Sequence, residues 1–167
     1  SELSVEQQRE LIESLPYLAT DQESVTFGFS EKSTLTLKQA FALLDKVDFK
    51  KLRRAVDSAG TEFSSAIQKL TNASKTIRNF KDVVTLRISG LKIIVAGFDN
   101  NVHRETSASV IIDLGGNDTY IGRMGAGVRN CGVVIDLSGD DSYKMDDLSA
   151  GAGLLGCGFL FDMWGHD

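Results

Sequence analysis

The apolar positions of this chain follow two periods, and the change between them falls near residue 83. Before it, apolar residues recur every three or four positions, as on one face of a helix. Ser4 with Gln7 makes a capping-box pattern, followed by Val5, Leu11, Ile12 and Leu15 up to Pro16. Thr36 with Gln39 is a second capping box, opening a helix through Ala40, Phe41, Leu43 and Leu44 to Val47. Phe49, Leu52, Val56, Ala59, Phe63, Ile67 and Leu70 then form one stripe of a long amphipathic helix from about Asp48 to Asn72. Between the first two helices, Val25, Phe27 and Phe29 alternate within residues 24–30, which predicts a short strand or extended arm. From Val83 the period is two: Val84, Leu86 and Ile88 face one way, Thr85 and Arg87 the other.

After residue 90 the pattern becomes a repeat. Val110-Ile-Ile-Asp-Leu-Gly-Gly-Asn-Asp118, Val133-Val-Ile-Asp-Leu-Ser-Gly-Asp-Asp141 and Phe159-Leu-Phe-Asp-Met-Trp-Gly-His-Asp167 share one template. An apolar triplet is followed by Asp, then Leu or Met, any residue, Gly, a polar residue and Asp. Gly125-Ala-Gly127 and Cys131-Gly132 recur as Gly151-Ala-Gly153 and Cys157-Gly158, so more than the strand repeats. Lys92 to Asn101 carries the apolar triplet but neither the Asp nor the Gly, and reads as a degenerate first copy. Fourteen of the 16 glycines lie between Gly90 and Gly165, which suits tight corners. A repeat of this length around an apolar strand predicts stacked coils. The expected fold is α+β: a helical region over residues 1–82 packed on a right-handed parallel β-solenoid (β-helix) over 83–167, incomplete at its C-terminal end.

Stacking has an electrostatic consequence. Parallel neighbours lie about 4.8 Å apart, so Asp113, Asp136 and Asp162 would form one column and Asp118, Asp141 and Asp167 another. Two bare carboxylates at that separation repel by roughly 3 kcal/mol at an effective dielectric near 20. A bound cation, raised pKa values, or turn hydrogen bonds to backbone N–H groups would each relieve this. Charge is divided accordingly: residues 1–89 hold 13 Lys/Arg and 12 Asp/Glu, +1, and residues 90–167 hold 5 and 11, −6. An acidic repeat region favours cations and argues against a nucleic-acid partner. The cationic side of the long helix (Lys50, Lys51, Arg53, Arg54, Lys69) is diluted by Asp57 and Glu62 and reads as a solvated face. Apolar content of 42% with a single Pro describes an ordered chain, and no apolar run approaches the roughly 20 residues of a transmembrane segment.

The turns Gly-Gly-Asn-Asp-Thr-Tyr120 and Ser-Gly-Asp-Asp-Ser-Tyr143 resemble part of the RTX calcium repeat, in which Gly- and Asp-rich turns hold calcium between coils. More broadly, 110–167 resembles the Gly-Asp-Asp-x-Tyr repeats of bacterial secreted proteins. The resemblance implies calcium as the cofactor, with Asp113, Asp118, Asp136, Asp141, Asp162 and Asp167 as ligands, and a secreted or periplasmic protein. Structural Asx turns account for the same residues without a metal. A chain beginning at Ser1 fits removal of a secretory signal, and equally a trimmed chain.

Three further features bear on chemistry. Cys131 and Cys157 fall on neighbouring copies, outside any Cys-x-x-Cys; a disulfide is geometrically possible between them but not natural for in-register parallel strands, and the preferred reading is two buried thiols filling space. His103 reads as a surface residue, whereas His166 stands inside the third copy, where the others have Asn117 and Asp140. The third copy stops at Asp167 where the first two continue with Thr119-Tyr120 and Ser142-Tyr143. Truncation, cover by another copy, or a second chain continuing the solenoid after Asp167 would explain that end. These observations predict an exported scaffold or binding module, the N-terminal chain of a larger processed protein. The alternative is an enzyme: Gly-His-Asp followed by Thr, Ser or Cys resembles the self-cleaving junction of N-terminal-nucleophile hydrolases. That resemblance implies the N-terminal chain of an autoprocessed hydrolase, with Asp167 at the scissile bond and His166 assisting proton transfer.

Overall fold

The computed structural model describes residues 3–19, 35–104, 108–128 and 130–167. The strand or arm expected over 24–30 lies outside these residues. The chain divides into two compact units, Ser1–Ala55 and Val56–Asp167.

Unit 1 contains α1 (Val5–Ala19), α2 (Leu37–Leu44) and the start of α3 (Phe49–Ser74). Both predicted capping boxes form. The Ser4 hydroxyl accepts from Gln7 N–H while Gln7 Oε1 accepts from Ser4 N–H, and Thr36 and Gln39 do the same. These reciprocal bonds satisfy N–H groups that a helix start otherwise leaves unpaired. Leu11 and Ile12 of α1 and Ala40 and Leu43 of α2 are buried, whereas Val5, in the first turn, is exposed. The first helix runs past Pro16 to Ala19 rather than ending there.

Unit 2 holds the rest of α3 and ten strands: β1 (Val83–Ile88), β2 (Leu91–Ala96), β3 (Val102–His103), β4 (Val110–Asp113), β5 (Thr119–Gly122), β6 (Gly127–Val128), β7 (Cys131–Asp136), β8 (Ser142–Met145), β9 (Gly153–Leu154) and β10 (Cys157–Asp162). They form a five-stranded sheet ordered β1-β2-β4-β7-β10, a three-stranded sheet β3-β5-β8 and a two-stranded sheet β6-β9. β1 and β2 are an antiparallel hairpin joined at Ser89-Gly90, where both residues have positive φ (50° and 81°). The other pairings are parallel.

Alternation along the strands assigns the two faces of the large sheet. Val110, Ile112, Val133, Ile135, Phe159 and Phe161 form one core with Phe63, Ile67 and Leu70 of α3. Those three belong to the stripe read from the sequence. On the opposite face Ile94, Ile111, Val134 and Leu160 pack with Tyr120, Tyr143, Met124 and Met145, which lie on or beside the three-stranded sheet. Unit 2 therefore has a helix on one face of its main sheet and a small parallel sheet on the other.

The right-handed parallel β-solenoid (β-helix) expected over 83–167 is corrected by this arrangement. The described residues form three helices with one mixed sheet and two smaller parallel ones, a small α/β fold. The reason is that three copies of an apolar triplet specify three strands and their mutual register, and nothing about the segments around them. Here the turn at Ser89-Gly90 folds β1 back against β2, which makes the main sheet mixed, and α3 covers one of its faces.

Candidate metal centre

The register of the main sheet sets like residues opposite one another. Asp113 pairs with Asp136, and Asp136 with Asp162. In the small sheet, His103 pairs with Tyr120 and Tyr120 with Tyr143. Their rings stack at centroid distances of 4.8 Å at both steps. This aromatic column lies against the aspartates and supplies them with partners. His103 Nε2 lies 2.7 Å from Asp113 Oδ2, the Tyr120 hydroxyl donates to Asp136 Oδ2 at 2.5 Å, and the Tyr143 hydroxyl donates to Asp162 Oδ2 at 2.6 Å. The second oxygens of Asp113 and Asp136 accept backbone N–H groups two residues on, from Gly115 and Ser138, each at 3.0 Å. Both carboxylates are fully buried with every oxygen partnered, as buried polar groups require.

The column that follows each turn is completed differently. Asp118 Oδ1 accepts Asn101 N–H (2.5 Å), Asp141 Oδ1 accepts Asp118 N–H (2.7 Å), and Asp167 Oδ1 accepts Asp141 N–H (2.9 Å). Each carboxylate thus ties its turn to the turn one copy earlier. The other oxygens of Asp118 and Asp141 are buried and have no hydrogen-bond partner. These residues are 1% and 6% exposed, so bulk water does not serve them. Leaving such an oxygen unserved costs about 1–3 kcal/mol, more when it is charged.

Among the described residues, oxygens of Asp118, Asp136 and Asp141 all lie within 4.8 Å of one another, and those of Asp141, Asp162 and Asp167 do likewise. The first trio is entirely buried; the second opens to solvent through exposed Asp167. A cluster of buried aspartates able to hold a metal ion is therefore present. Five of the six expected ligands, Asp167 among them, fall in these two groups, and Asp113 alone does not.

Burial sets the protonation of the cluster. Loss of hydration is the largest influence on every shifted carboxyl and favours the neutral acid. It pushes Asp118 up to about 7 and Asp136 up to about 8, aided by neighbouring aspartates, and it raises Asp141 and Asp162. Both tyrosine hydroxyls are held above their usual range, chiefly by burial, so they remain donors. A protonated Asp136 can also donate to Asp141.

Of the two residues with an expected catalytic role, Asp167 belongs to the second trio and His166 lies outside both. His166 closes a third, exposed ladder in which Asn117 N–H donates to Asn100, Asp140 N–H to Asn117 and His166 N–H to Asp140. Its ring is 98% exposed, with Nδ1 3.7 Å from Asp140 Oδ1. Asp167 is exposed and acts through its bond to Asp141 N–H. The sequence reading missed His103, which is buried rather than on the surface. A signal for it existed. Tyr120 and Tyr143 each follow an inner aspartate by seven residues, and His103 follows Ala96, the residue opposite Asp113, by the same seven. Neither family models, curated proteins nor solved structures give a match to this chain, so its reading rests on the geometry of the aspartate columns.

Proposed function

We propose that unit 2 is a divalent-cation binding module and that calcium is the ion it takes. The observation that carries this reading is the pair of buried, unpartnered oxygens on Asp118 and Asp141 beside Asp136. Carboxylates desolvated to this degree need either protons or a positive charge. All-oxygen donors suit a hard cation, and oxygens at most 4.8 Å apart match the width of a calcium shell, about twice 2.4 Å. Magnesium is less suited, because it keeps several waters in a strict octahedron, and the Asp118–Asp136–Asp141 site is buried. The −6 charge of residues 90–167 favours cation capture at a distance. A bound ion would tie the copy carrying Asp118 to the one carrying Asp136 and Asp141, making the fold of unit 2 calcium-dependent and its surface a scaffold rigid only when loaded.

The test uses the whole chain, stripped with EDTA at pH 7.5. Terbium, a calcium mimic, is added while its emission is read under tyrosine excitation, since Tyr120 bonds the ligand Asp136. Sensitised emission that calcium displaces, with a higher melting temperature in calcium, is the expected result, and Asp118→Asn should lose both. No emission and the same melting temperature in millimolar calcium as in EDTA would overturn the proposal in favour of a proton shared by Asp136 and Asp141.

A further inference from the structure

The two cysteines are a separate feature, independent of any cation. Cys131 opens β7 and Cys157 opens β10, and the parallel register sets them opposite each other. They are the only cysteines in the chain, both half-buried and neither in a disulfide. In-register parallel neighbours point their side chains the same way with Cα atoms about 4.8 Å apart, inside the span of about 4.4–6.8 Å that a disulfide bridges. The backbone here is packed without slack: a Cβ on Gly127 would collide with the Cys157 carbonyl, and one on Gly156 with the Asn130 carbonyl. Packing alone does not call for sulfur, because the first copy has Ala108 at the same count before its apolar triplet. Inert structural cysteines are fully buried, and these are not.

We propose that Cys131 and Cys157 are a redox-responsive pair that a small disulfide, such as oxidised glutathione, converts into an intrachain staple between β7 and β10. Either thiol can open the exchange, because the register sets them opposite each other and both are half-buried. The thiolate of one attacks one sulfur of oxidised glutathione, forming a mixed disulfide and expelling a glutathione thiolate. The other cysteine then loses its proton and attacks the protein sulfur of that mixed disulfide, closing the protein disulfide and releasing the second glutathione. The two protein thiols lose two electrons and two protons, and the oxidant takes up both as two glutathione thiols. The loop so closed contains Asp136 and Asp141. Parallel strands hold Cβ atoms farther apart than a relaxed disulfide prefers, so the bond should be readily reduced.

The test is intact mass of the native full chain after incubation with oxidised glutathione at pH 8. The expected product has lost two hydrogens, carries no glutathione, melts higher, and reverts with dithiothreitol. Cys131→Ala should instead stop at one stable adduct on Cys157. A stable adduct on the wild-type chain, or no reaction when the same protein in urea reacts, would overturn the proposal. The wild-type mass decides the matter even if the variant does not fold.

Discussion

The two columns of aspartate in unit 2 have the same residue at the same period and are settled in opposite ways. The inner column, Asp113, Asp136 and Asp162, faces His103, Tyr120 and Tyr143, so each member has an aromatic hydrogen-bond partner from the small sheet. The outer column, Asp118, Asp141 and Asp167, receives one backbone N–H per residue, and the far oxygens of its two buried members are unserved. The lesson is that a carboxylate's role here is decided by what stands across from it. An inner aspartate resembles a structural peg, an outer one half a ligand set. Asp136 belongs to both groups, because it is an inner aspartate that also reaches the outer pair.

That contrast can be broken at its strongest point first. Asp136→Ala removes the acceptor of both the Tyr120 hydroxyl and Ser138 N–H and should cost roughly 2–5 kcal/mol in urea unfolding, as two buried donors lose their partner. A loss under 1 kcal/mol would mean the inner column is not structural. Next, Tyr120→Phe should cost about 1–3 kcal/mol, and Tyr143→Phe less, because Tyr143 is half-buried and water can replace its bond to Asp162. Equal losses would show that burial does not separate the two.

The outer column is sharpened by pH. Asp118 and Asp136 ionise near 7 and 8 in the folded chain, against about 4 when unfolded. Their contribution to stability is fully present below about pH 4, declines as pH rises, and is lost above about pH 8. Melting in EDTA should therefore fall between pH 5 and 8.5, and saturating calcium should flatten that fall by stabilising the ionised forms. A melting temperature that rises with pH in EDTA would contradict the burial argument. The smallest effect belongs to Asp167→Asn, which keeps an oxygen for Asp141 N–H on an exposed turn and should move stability by no more than about 0.5 kcal/mol.

Much of the local structure was legible in the chain. The capping boxes at Ser4/Gln7 and Thr36/Gln39 formed because both partners lie within one turn of each other. The stripe containing Phe63, Ile67 and Leu70 reached a core because its period is that of the helix. The register of Val110, Val133 and Phe159 followed from three aligned triplets, since a one-residue slip would send every apolar side chain to the wrong face. The reading erred where copies of a motif were extended into an architecture, and where it took His103, which is buried, for a surface residue.

By itself, then, the sequence determined which segments are helix or strand, which residues stand opposite which, and that acidic groups would be brought into columns. Those properties depend on neighbours a few residues away or on a repeated period. Only the tertiary structure decided that one column meets histidine and tyrosine while the other keeps free oxygens, and that the main sheet is mixed and covered by α3. Those outcomes depend on which surfaces meet across the core, and a side chain's desolvation and partners are properties of that meeting rather than of its place in the chain.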